Sequence, residues 1–169
     1  MSEYTRTTID CPVSQLHPGL QQAIQKYFQE HELGDPQEKT LLCCETVSKK
    51  KNTAKADSRL SDKPDTTIHL GMLLTAQQLI WVQDGDKSGI RLNAASLNNI
   101  RAKYYVSTFQ KDAGLEIVGY IGDSNSRVRG FIAMGTDPAA QKFCEAVRQA
   151  TLEQNPPPKG WLKWLAGDW

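Results

Sequence analysis

Apolar residues recur along this chain at two different periods. Between positions 16 and 33, Leu16, Leu20, Ile24, Tyr27, Phe28 and His31 stand three or four apart, the spacing of one face of an α-helix. Pro18 suits its first turn, and Gly34-Asp35-Pro36 stops it. No strand is expected ahead of this helix. From residue 40 onward the period falls to two. The short apolar run 40–47, TLLCCETV, reads as a first strand. In 67–75, Ile68, Leu70, Met72 and Leu74 share one face, with His69 on the other. Residues 78–83 and the short Ile90-Arg91-Leu92 flank a turn, Asp84 to Gly89. In 99–107, Ile100, Ala102, Tyr104 and Val106 alternate with Arg101, Lys103 and Tyr105. Residues 115–121 and 127–134 flank the turn 122–126. Thr136-Asp137-Pro138 then opens a helix over 138–154, with Ala140, Phe143, Val147 and Ala150 on one stripe.

Strands at this pitch predict a mainly β protein with helices, built on an antiparallel sheet, sandwich or barrel. Cys43 and Cys44 are adjacent and so point to opposite faces of their strand. Three segments are expected: 1–36 with the amphipathic helix, 37–155 as the main domain, and 156–169 as a proline spacer and tail. Pro156-Pro157-Pro158 cannot continue the helix. The long connection 49–66 has almost no apolar content and is expected to be a basic loop.

About seven short strands, a long first loop and one C-terminal amphipathic helix make an element order that resembles the pleckstrin-homology-like family, in particular its bacterial members. The resemblance covers residues 40–154. It implies a strongly bent antiparallel sheet, or partly open barrel, plugged at one end by the C-terminal helix. It also implies binding rather than catalysis, of phosphoinositide head groups, peptides or other domains. Phosphoinositide-binding members carry a lysine at the end of the first strand, which Lys49, Lys50 and Lys51 match, and a basic pair on the second. Here that second strand, Thr66 to Gly71, supplies no arginine. The N-terminal helix and the tryptophan-rich tail are additions to the family pattern.

Composition narrows the function classes. The chain has 169 residues, 39% hydrophobic and 23% charged, with a formal net charge of +1. No global charge steers it to nucleic acid, and the basic loop has no aromatic rings for base stacking, so nucleic acid is not an expected partner. The N-terminus has no apolar core with a basic lead-in, as a secretory signal has, and no apolar run approaches a membrane span. Four cysteines without a CxxC pair suggest reduced thiols in a cytoplasmic, and at most membrane-peripheral, protein.

The candidate chemistry is thin. Asp84-Gly85-Asp86-Lys87-Ser88-Gly89 opens like a calcium loop, but its twelfth position is Ala95 where a bidentate acid is needed. Gly122-Asp123-Ser124 resembles the nucleophile block of GDS-type esterases, yet no histidine follows Ser124. Both blocks read as turns. His17, His31 and His69 are scattered, and Cys43 and Cys144 suit small core positions. No catalytic residue, metal or cofactor is expected. Two surfaces remain. Lys49, Lys50, Lys51, Lys55, Arg59, Lys63, Arg101 and Lys103 are candidate anion contacts. Trp161, Leu162, Trp164, Leu165 and Trp169 are a candidate partner or membrane surface. The expected activity is that of an interaction module for a protein or peptide. The alternatives are attachment to an anionic membrane through loop and tail, and a small hydrolase.

Overall fold

The computed structural model describes residues 3–51, 65–107, 112–122 and 126–156. Its elements run β1 (Tyr4–Asp10), α1 (Pro18–Glu30), α2 (Pro36–Lys39), β2 (Thr40–Lys50), β3 (Thr67–Thr75), β4 (Gln78–Gly85), β5 (Gly89–Ser96), β6 (Ile100–Ser107), β7 (Asp112–Gly119), β8 (Val128–Ala133) and α3 (Pro138–Gln154). All strand pairs are antiparallel. They form a five-stranded sheet, β1 to β5 in sequence order, and a three-stranded sheet, β6 to β8. The expected single bent sheet is therefore two sheets and not a closed barrel. The 3-10 turn Leu97–Asn99 breaks the pairing between β5 and β6. Across that corner the backbone makes the bonds Tyr120 N–H to Asn99 O (3.2 Å) and Gly122 N–H to Ala94 O (3.0 Å).

A strand precedes the first helix, contrary to the sequence expectation. β1 pairs with β2 along its whole length, Tyr4 opposite Lys50 to Asp10 opposite Cys44. Apolar periodicity misses it because its inward positions are polar and its one aliphatic residue, Ile9, is 55% exposed. Specific bonds hold it instead. The buried hydroxyls of Thr8 and Thr46 meet at 2.8 Å, and the Thr8 hydroxyl donates to the Met134 carbonyl. The Thr8 amide donates to the Asp137 carboxylate (2.8 Å), so the residue preceding α3 anchors β1 rather than capping its own helix. Arg6 pairs with Asp112 at 2.7 Å.

The central strands β2 to β4 of the first sheet are buried on both faces, while the edge strands β1 and β5 are largely exposed. Cys44, Leu70, Met72, Leu74, Leu79 and Trp81 face the second sheet and α3. Their immediate neighbours Cys43, Leu73, Ile80 and Val82 face Leu16, Leu20, Ile24 and Phe28 of the α1 segment. The opposed cysteines follow the sequence expectation. So does α3, whose Phe143 and Val147 are fully buried against the main core. Phe143→Ala is expected to destabilise the fold by about 3–5 kcal/mol, the cost of an aromatic-sized core cavity, read from urea denaturation.

Polar contacts fix where α1 lands. Its cap residue His17 makes no side-chain cap bond, and Pro18 occupies the first helical position. Sheet carboxylates complement the positive helix end instead. Glu45 Oε2 accepts from the His17 amide (3.0 Å), and Asp84 Oδ2 lies 3.4 Å from His17 Nδ1. Glu45 Oε1 accepts from His69 Nδ1 (2.7 Å), and the His69 ring stacks on His17 at 4.1 Å. Gly71 lets the helix approach, since a Cβ there would sit 3.2 Å from Leu20. Glu45 is only 7% exposed. Glu45→Ala leaves two donors without their acceptor, so a loss of about 1–3 kcal/mol is expected. Amide hydrogen exchange should accelerate in α1 more than in β3 and β4.

Candidate functional site: the outer face of the second sheet

The second sheet buries one face against the core; on its other face the exposed side chains belong to β6 and β8, since β7 is buried from Ala113 to Gly119. Ile100, Ala102, Leu115, Ile117 and Ile132 point into the core. The registers Arg101 opposite Val118, Lys103 opposite Glu116 and Tyr105 opposite Gly114 put the alternate residues outward. On the other side of β7, Arg129 stands opposite Val118 and Phe131 opposite Glu116. One outward row is thus Arg101, Val118 and Arg129; the next is Lys103, Glu116 and Phe131. Gly114 has no side chain to fill the third, and Tyr105 meets Phe131 edge-to-face at 6.2 Å. Tyr105 is 42% exposed and Phe131 43%.

The face is cationic around Glu116. The buried Glu116 carboxylate accepts from Arg129 and lies 3.3 Å from Lys103 Nζ. Burial alone would raise its pKa, but the hydrogen bonds from Arg129 and Lys103 outweigh that and hold it below the usual carboxylate range. Arg101 is lowered from the usual arginine range, by burial first and then by the neighbouring Arg127. The arrangement is a shelf of cations with two aromatic rings, suited to holding an acidic or aromatic ligand.

Of the sequence candidates, the structure puts Arg101 and Lys103 on this shelf. Lys49 and Lys50 end β2 in the other sheet, and Lys51 follows them. There the amides of Lys50 and Lys51 donate to Thr66 O and Glu3 O, both at 2.8 Å. Lys55, Arg59, Lys63, Trp161, Leu162, Trp164, Leu165 and Trp169 lie outside the described residues, as does Ser124. Arg127, Arg129 and Phe131 were not among the sequence candidates. Their signal was present: Arg127-x-Arg129-x-Phe131 repeats the order of Arg101-x-Lys103-x-Tyr105, cation, cation, aromatic at alternate positions.

The calcium-like block is a hairpin between β4 and β5. Asp65, which lies ahead of β3, and the block's own Asp86 bind backbone and side-chain donors. Asp65 accepts from the amides of Lys87 (2.6 Å) and Ser88 (2.9 Å) and from the Ser88 hydroxyl (2.6 Å). Asp86 accepts from the Thr66 amide (2.8 Å) and hydroxyl. Among the described residues, no group of three or more His, Cys, Asp or Glu is arranged to hold a metal ion. Cys43 and Cys44 are pushed up by burial, as is Cys144, so these thiols stay protonated at neutral pH. Among the described residues no helix is long and apolar enough to cross a membrane.

The chain matches no protein-family model, no curated protein and no solved structure.

The hydrogen bonds from Ser88, with those from Lys87, hold the Asp65 carboxyl down at about 2. A depressed carboxylate stabilises the fold fully above its unfolded pKa and loses that effect as pH falls through its folded value. Asp65→Asn should therefore destabilise the protein at pH 7, and its deficit relative to the parent should shrink steadily between about pH 4 and about pH 2. Urea midpoints of both proteins across that range check this.

Proposed function

We propose that this protein is a non-enzymatic interaction module of pleckstrin-homology-like build that binds an acidic protein or peptide segment on the outer face of its second sheet. The build is supported by the order of β2 to β5, β6 to β8 and a closing C-terminal helix, with β1 and α1 as additions. One observation carries the function. α1 covers the outer side of the first sheet, whereas the second sheet presents Tyr105 and Phe131 among Arg101, Lys103, Arg127 and Arg129 around Glu116. Exposed aromatics bordered by cations are the residue types that dominate binding energy at protein interfaces. A cytoplasmic setting accords with four free cysteines.

A second reading is attachment to an anionic lipid surface, favoured by the three consecutive lysines 49–51 at the end of β2. The two readings separate in one comparison. Short acidic peptides containing aromatic residues, followed by fluorescence polarisation, should bind the parent chain. Tyr105→Ala combined with Phe131→Ala should weaken them at least about tenfold, the scale of losing one interface anchor. The melting curve should change little, because both rings are exposed. Sedimentation with phosphatidylserine vesicles, lost on replacing Lys49, Lys50 and Lys51 but indifferent to Tyr105 and Phe131, would favour the lipid reading instead.

A further inference from the structure

At one end of the cationic shelf lies a half-open cleft of about 330 Å³ between the β5–β6 corner and the facing ends of β7 and β8. Among the described residues its polar lining is Asn98, Asn99, Arg101, Tyr120, Arg127 and Asn155, with no carboxylate. Three other arginines pair with acids, Arg6 with Asp112, Arg129 with Glu116 and Arg148 with Glu145, while the exposed Arg91 on β5 has no ion pair among the described residues. Neither Arg101 nor Arg127 has an acidic ion-pair partner among the described residues, and the two repel each other across the cleft. The cleft is built, not incidental. At Gly119, with φ +151, a side chain would collide with the backbone of Asn99 and Ile100. That close approach, with the bond from Tyr120 N–H to Asn99 O, clamps the two walls together. Asn98 Oδ1 accepts from the Ser96 hydroxyl (2.8 Å), which leaves its amide nitrogen to donate elsewhere.

We propose that this cleft binds a phosphomonoester carried on a peptide, with the phosphate held between the guanidinium groups of Arg101 and Arg127. Two uncompensated guanidiniums call for a dianion, and their planar forks match phosphate oxygens in pairs. The side-chain amides of the three asparagines can add neutral donors to the remaining oxygens. A peptide is favoured over a lipid head group because the cleft opens onto the Arg129, Phe131 and Tyr105 shelf, which takes the residues flanking the phosphate. This identification of the ligand rests on the shelf being the binding face.

The test is an amide NMR titration of the full chain with inorganic phosphate, and with acetate at matched ionic strength. It is repeated with a phosphoserine peptide and its serine counterpart. Phosphate should shift the amides of Asn98, Asn99, Arg101, Tyr120 and Arg127 where acetate does not. The phosphopeptide should bind at least about tenfold more tightly than the serine peptide. Arg101→Ala with Arg127→Ala should abolish that preference, and the lysine pair should restore it only partly, because charge remains while the fork is lost. An unchanged spectrum in β2 to β4 verifies folding, and the exposed Arg127→Ala alone supplies a gentler variant. Equal responses to acetate and phosphate, or a phosphate response that survives the double variant, would overturn the site. Binding to phosphatidic acid vesicles but not to the phosphopeptide would overturn the peptide occupant. If unphosphorylated acidic peptides bind through Tyr105 and Phe131 while phosphate does nothing, this inference fails and the interaction-module reading stands. Phosphate binding with no peptide binding of either kind would sink that reading and the peptide assignment with it.

Discussion

Two-sided burial of the central strands of the five-stranded sheet is the constraint on which the rest of the structure depends. In β2, β3 and β4, neighbouring residues such as Cys43 and Cys44, Leu73 and Leu74, or Ile80 and Trp81 are apolar on both faces. Antiparallel sheets more often keep one wet face. Here the outer face needs its own cover, and Leu16 together with Leu20, Ile24 and Phe28 of α1 supplies it. Each such side chain contributes on the order of 1.5–3 kcal/mol when buried. The polar group of Glu45, His69, His17 and Asp84 then fixes the helix position, because buried carboxylates are tolerated only where donors meet them.

The second sheet follows the opposite rule, and the proposed binding face rests on that difference. Its inner side joins the core under α3, while its outer side keeps charge. The ion pairs there add little stability, since exposed pairs are worth about 0–1 kcal/mol and Arg129 is 64% exposed. They are better understood as setting the shelf's electrostatic character. The Arg101 and Arg127 cleft lies where that character has no internal acid to offset it among the described residues.

Much of the fold was legible because burial leaves a periodic trace. The alternation in β3, β6 and β7, the opposed cysteines of β2 and the Phe143 and Val147 stripe all report which side meets the core. β1 left no such trace, since threonine hydroxyls and an arginine do inside what aliphatics do elsewhere. The division into two sheets was equally hidden, because it depends on one short 3-10 turn at Leu97–Asn99. Half of the candidate surface was named from Arg101 and Lys103. The other half, Arg127, Arg129 and Phe131, repeats the same pattern but needed the β6–β7–β8 pairing to bring the two strands to one face.

The central claim is that β2 to β4 of the first sheet are sealed on both sides while the second sheet keeps one face with exposed side chains on β6 and β8. Solvent paramagnetic relaxation of the full chain, using a neutral soluble probe and side-chain methyl and aromatic signals, measures this directly. The account requires strong attenuation at Tyr105 and Phe131, with Leu73, Ile80 and Val82 as protected as Leu115 and Ile117. Attenuation of Ile80 and Val82 to the level of Tyr105, or protection of Tyr105 and Phe131 in the free protein, would contradict it.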